Sequence, residues 1–209
     1  MGEQSLRHSE PVSRRRTRGA RRLIAYSPKL SRRVQLHSRV AFDLWLVLEA
    51  DPNVIYFCER PIRMLTETGE RGIDFWSCDG NSETYWCIGD APANMAEPST
   101  LNSIPIHYVP LPQLAADEQW ARNWQAMLPV IIAHAGEQRT ELDSLILRYT
   151  DVPQALMQIE RELAVGEPSS VRASVFRLLH TGQLMAPTLR TRPLSLLTEF
   201  QATHATTTQ

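Results

Sequence analysis

Leu48-Glu49-Ala50-Asp51-Pro52-Asn53-Val54, followed by Phe57-Cys58-Glu59-Arg60-Pro61, is where one residue pattern gives way to another. Upstream, over residues 34–49, Val40, Leu44, Val47 and Leu48 recur at helical spacing, and Phe42, Trp45 and Leu46 fill the other faces. A helix that is apolar nearly all round is a buried one. Asp51-Pro52-Asn53 stops it, because a prolyl ring disfavours helical backbone in the residue before it. Downstream, residues 54–65, 72–78 and 84–88 read as strands, separated by the turn signals Thr68-Gly69-Glu70 and Asp79-Gly80-Asn81. Residues 104–109 form a fourth strand candidate, and a helix carrying Trp120, Trp124, Met127 and Leu128 follows. This order predicts a mixed α/β domain over residues 34–135, with Trp120 and Trp124 as core residues on one helical face.

Past Ala135-Gly136 the helices shorten. Segments 142–149 and 153–165 are followed by a Gly166-Glu167-Pro168 turn, then a third helix capped by Ser169 or Ser170 and closed by Thr181-Gly182. Leu184-Met185-Ala186 and the stretch with Arg190 and Arg192 form a strand-pair candidate. Three helices and a hairpin predict a small winged-helix-like domain over residues 136–209, a helical-bundle tail being the other arrangement these segments allow. The Thr-rich residues 202–209 read as a disordered tail.

In the other direction, residues 1–33 carry few large apolar side chains and no sustained period. Residues 1–40 hold eleven basic side chains against Glu3 and Glu10, whereas the rest of the chain holds eleven basic and 21 acidic ones. The formal net charge of −1 therefore hides a basic arm on an acidic body, which points to a polyanion partner, usually nucleic acid. Arg14, Arg15, Arg16, Arg18, Arg21, Arg22, Lys29, Arg32 and Arg33 are the expected phosphate contacts, a solvated tail being the bland alternative. In the third C-terminal helix Ser170, Arg172, Ser174 and Arg177 are placed to meet DNA or a partner protein. Cys58, Cys78 and Cys87 are odd in number and lack zinc-ligand spacing, and the histidines show no paired spacing, so no metal site is expected. No apolar run approaches the roughly 18–20 residues of a membrane span, so the expectation is a cytoplasmic protein without a membrane partner.

Tyr26-Ser27-Pro28-Lys29, Leu36-His37-Ser38, the Leu48–Val54 and Phe57–Pro61 runs quoted above, and Ile73-Asp74-Phe75 together resemble the N-terminal half of TnsA-type proteins, the endonuclease subunits of heteromeric transposases. The resemblance covers residues 25–90 well and the remainder in outline. It implies a restriction-endonuclease-like core, a mixed sheet flanked by helices. It also implies DNA at transposon ends as ligand, a DDE-type transposase and an ATPase regulator as partners, and a bacterial, nucleoid-associated setting.

Nucleases of that fold need a helix glutamate, a strand aspartate and an acid-x-Lys pair on the next strand. The carboxylates hold hard cations that activate water, and the lysine orients that water or offsets developing charge. Here the helix position falls on Ala41, the aspartate is kept as Asp74, and Cys87 and Gly89 stand for the acid and the lysine. No lysine can stand in, since Lys29 is the chain's one lysine; Asp90 or Glu83 are the carboxylates available for a rebuilt site. The expectation is a DNA-binding pseudoenzyme that needs no cofactor. The alternatives are an active nuclease with a relocated Mg2+ site, and a free-standing DNA-binding regulator that keeps only the scaffold.

Overall fold

The computed structural model describes residues 6–12, 22–66, 69–92, 100–136 and 140–203. The chain divides into two compact units, Met1–Glu49 with Asn53–Ala116, and Ala50–Pro52 with Asp117–Gln209. The architecture is α/β with a mixed sheet, and no helix among the described residues is long and apolar enough to cross a membrane.

The first unit opens with an antiparallel ribbon, β1 (Leu23–Ser27) and β2 (Arg32–Leu36), and continues into α1 (Arg39–Ala50). Val34 and Leu36 belong to β2, where they are buried, so the helix starts later than the apolar pattern predicts. Ser38 sets its start: the Ser38 Oγ accepts the Ala41 N–H at 3.0 Å, taking up an amide that the first helical turn cannot serve. β3 (Tyr56–Glu59), the hairpin β4 (Arg63–Thr66) with β5 (Gly69–Gly72), then β6 (Phe75–Cys78), β7 (Glu83–Ile88), β8 (Thr100–Leu101), β9 (Ile104–Val109) and α2 (Leu111–Ala116) complete the unit. The sheet runs β3-β6-β7-β9-β8, with β7 and β9 parallel and the other pairs antiparallel.

Both sheet faces are covered. On one, Cys58, Ile73, Trp76, Tyr85, Cys87 and Ile106 form a single apolar cluster. On the other, Phe57 and Phe75 meet edge-on with ring centres 6.4 Å apart. The turn between β6 and β7 is the predicted one, held by Asp79, whose carboxylate accepts the amides of Asn81 and Ser82 and the Ser82 hydroxyl.

The second unit comprises α3 (Glu118–Ala133), α4 (Thr140–Tyr149), β10 (Gln154–Ala155), α5 (Leu156–Leu163), α6 (Pro168–His180), β11 (Leu184–Met185), a 3-10 turn (Pro187–Arg190) and β12 (Glu199–Ala202). Its sheet order is β10-β12-β11. The partner of β11 is β12 and not the stretch with Arg190 and Arg192, which instead holds the 3-10 turn. Packing also draws α3 into this unit, so the division falls at residues 116/117 and not at 135. The cause is Asn123, buried on α3, whose amide donates to the Leu189 and Arg192 carbonyls (2.7 and 2.8 Å) and accepts the Leu194 N–H at 2.9 Å. Trp124 beside it is fully buried and packs on His180, as its core assignment requires. The expected disordered tail lies outside the described residues from 204 onward.

Candidate functional site

The corner around Asp74 is where the resemblance leads one to expect the one acid kept from the nuclease pattern. Asp74 precedes β6, and its three polar groups are used on three sides. Its N–H donates to the Trp86 carbonyl (3.0 Å), its carbonyl accepts the Arg60 N–H (2.8 Å), and its carboxylate accepts the Ile88 N–H (2.8 Å). The residue thus stitches β3, β6 and β7 together. The Phe75–Trp86 rung, extended by one step, puts Cys87 opposite Asp74. Cys87 is fully buried in the apolar cluster, and burial pushes its thiol up to about 11. Cys58, in the same cluster, is pushed up to about 12 by the same cause. Burial thus favours the protonated thiol in both, which works against nucleophilic use of either.

Gly89 lies just past β7 at φ +109, a conformation that glycine adopts without strain and that lysine does not. Its amide donates to the Val109 carbonyl at 2.9 Å. A Cβ added there would lie 3.9 Å from Nη2 of Arg71, which donates to the Ile88 carbonyl at 3.2 Å and whose guanidinium stacks on Tyr108. Arg71, which the sequence reading did not single out, is therefore the cation beside the position of the absent lysine. Of the two reserve carboxylates, Glu83 sits opposite Cys78 at the far end of β6 and is held by Arg7 and the Trp76 indole. Asp90 is exposed just after β7. Ala41 stands in the first turn of α1 and brings no ligand atom. Among the described residues, no three His, Cys, Asp or Glu side chains converge as a metal site would require.

The quoted motif residues upstream do meet in space. Ser27 on β1 is buried and donates its hydroxyl to Glu49, itself fully buried at the end of α1. Glu49 also accepts the Lys29 N–H at 3.1 Å, while Lys29 Nζ donates to the carbonyls of Leu48 (3.2 Å) and Val54 (2.7 Å). The Leu48 carbonyl belongs to the last turn of α1, where a cation is also favoured by the helix dipole, and Val54 lies in the loop beyond it. Glu59 is 1% exposed, accepts both Nη atoms of Arg32 (3.0 and 2.7 Å) and receives the Gln35 N–H at 3.3 Å.

These contacts correct the picture of a free arm over residues 1–33. Lys29 and Arg32 fasten the ribbon to α1 and β3 and are not presented to a ligand. Residues 6–12 dock as well: Val12 donates to the Arg60 carbonyl, Arg7 pairs with Glu83, and His8 meets the Tyr85 hydroxyl at 2.8 Å and the edge of Trp76. Arg22 and Arg33 are exposed on the ribbon, whereas Arg14, Arg15, Arg16, Arg18 and Arg21 lie outside the described residues.

In the second unit α6 is the central helix, packed against α3, α4 and α5. From Val171 to His180 none of its residues is exposed. Arg172 is spent on Glu160 (3.0 Å to Oε2) and Arg177 on both oxygens of Asp143 (2.6 and 2.7 Å). The two arginines named as DNA contacts are paired with acids of their own unit, their side chains 40% and 34% exposed. Comparison with protein-family models and with curated proteins finds no match for the chain.

Proposed function

We propose that this chain is a DNA-binding, catalytically inactive TnsA-like subunit of a transposition complex, acting at transposon ends with a DDE-type transposase and an ATPase regulator. The observation that carries it is the Asp74 corner. The acid that would ligate a metal accepts the Ile88 amide and stands opposite a buried thiol, and the lysine position on the neighbouring strand is a glycine at φ +109. One carboxylate gives a hard cation a poor site, and each missing catalytic group removes several kcal/mol of transition-state stabilisation.

Supporting the family assignment, the Ser-x-Lys and Leu-Glu-x-Asp-Pro-x-Val runs meet as one interlocked lock through Ser27, Lys29 and Glu49. The order of α4, β10, α5, α6, β11 and β12, with β12 central in its sheet, supports reading the second unit as a winged-helix-like module. Because Arg172 and Arg177 of α6 are paired with Glu160 and Asp143, we read that module as serving protein partners in the complex, and the DNA-contacting role as falling to the first unit.

In the resembled family the transposase cuts 3′ ends and the TnsA-type subunit cuts 5′ strands, so an inactive subunit leaves the element joined to its donor. Sequencing transposition products in the native system is the test, with Asp74→Asn as the informative variant: it keeps an acceptor for Ile88 and removes the charge that a metal needs. Cointegrates that persist in Asp74→Asn and vanish when the gene is deleted support the reading. Simple insertions lost in Asp74→Asn, or magnesium-dependent plasmid nicking by the wild type, overturn it.

A further inference from the structure

The β1–β2 ribbon has an inner and an outer face, because alternate strand residues point to opposite sides. Ser27, Val34 and Leu36 are buried on the inner one. Ile24 pairs with Gln35 and Tyr26 with Arg33 on the outer one, and Arg22 joins them by placing Nη1 3.5 Å from the Gln35 amide oxygen. Ile24 is 54% and Tyr26 39% exposed. The four rungs from Tyr26–Arg33 to Arg22 span about 13 Å.

Two features give this face a partner. Its composition, two arginines around an exposed aromatic and an aliphatic side chain with one amide, matches groups that contact phosphates and sugars. Its strands and their flanks carry one sign of charge: residues 11–42 contain ten basic side chains and no acidic one, with Glu10 and Glu59 lining a cleft beside Arg33 and Gln35. Three of the ten have partners within the unit, Lys29 on the Leu48 and Val54 carbonyls, Arg32 on Glu59 and the exposed Arg39 on Asp43. The arginines that lead into β1, Arg14 to Arg21, are continuous in sequence with Arg22, so the most basic stretch of the chain runs directly onto the ribbon.

We infer that the outer face of the β1–β2 ribbon is the duplex-DNA contact surface of this chain, with Arg22 and Arg33 neutralising phosphates, Tyr26 and Gln35 donating to the backbone, and Ile24 lying against the sugars. This rests on the DNA-binding reading above and replaces an undifferentiated arm with a defined face.

The test is fluorescence anisotropy of a labelled duplex with the full chain, titrated at several salt concentrations, with thermal melting of each variant in parallel. Each phosphate contact contributes about 0.9 to the slope of log K against log salt, so Arg22→Ala/Arg33→Ala should lose about 1.8 of slope and about 50-fold in affinity near 0.1 M salt. Tyr26→Ala should weaken binding several-fold with the slope unchanged. Both should melt as the wild type does, since none of the three side chains is buried. A double variant with wild-type slope and affinity overturns the ribbon face and leaves the DNA-binding reading standing. A wild type that binds no duplex at low salt overturns both. Displacement of the duplex by polyglutamate of equal charge shows a general acid-binding face and overturns the assignment to DNA.

Discussion

The outer face of the ribbon in the first unit and α6 in the second each carry two arginines that the sequence marks for DNA, and the fold treats them in opposite ways. Arg22 and Arg33 stand on a face whose strands hold no acid, and they reach solvent. Arg172 and Arg177 stand on a helix surrounded by α4 and α5, which supply Asp143 and Glu160, so each guanidinium meets a carboxylate before it meets a ligand. Even within residues 29–33 the split recurs, with Arg32 clamped by Glu59 and Arg33 exposed. A count of positive charges measures what a chain contains. What it presents depends on which acids the fold brings alongside.

The sharpest way to break the contrast is at Glu59, the most buried acid in an arginine pair. Glu59→Gln leaves Arg32 without its charge partner, and removing one member of a largely buried pair costs about 3 kcal/mol or more. Chemical denaturation should show that loss; a change under about 1 kcal/mol would mean that the pair holds nothing together. Next in size, Arg172→Ala should cost about 1–2 kcal/mol, because Glu160 is left nearly buried, while the DNA salt slope stays at the wild-type value. A slope reduced as far as in a ribbon variant would erase the distinction between the two regions.

The smallest effect concerns the docked segment 6–12. Desolvation, and then the neighbouring Arg7 charge, hold the His8 pKa below the ordinary histidine value. A depressed folded-state pKa means that the stabilisation is present above about pH 6.5 and is lost as pH falls through the folded value. The His8 ring resonances should therefore titrate below pH 6.5, with Trp76 fluorescence changing over the same range. Titration at or above 6.5 would show that His8 is not packed as described.

The elements that the sequence announced most clearly are those with conventional periods. The helix carrying Leu44 and Trp45, the strands holding Phe75–Cys78 and Ile104–Val109, and the three C-terminal helices all stand where pattern placed them, within a few residues. The ribbon was missed because its amphipathicity is inverted. Ile24 and Tyr26 face out while Ser27 is buried, so apolar spacing carries no signal there, and only the Arg33-Val34-Gln35-Leu36 alternation betrayed a strand. The reach of α3 into the second unit depends on Asn123 bonding main-chain atoms more than sixty residues away, which no local pattern encodes. At the candidate site, Ala41, Asp74 and Gly89 were legible as identities. That Asp74 serves the Ile88 amide, and that Arg71 fills the space beside Gly89, follows from strand register and could not be read from spacing.

Under the proposed reading, Gly89 at φ +109 stands against any return of the lysine. Reverting it to lysine would not simply add an ammonium group; it would strain the main chain by about 1–3 kcal/mol before any chemistry was gained. Reverting Cys87 to an acid would thrust a carboxylate among Ile73, Trp76 and Ile106. Under that reading, each single step costs stability and neither alone restores cutting.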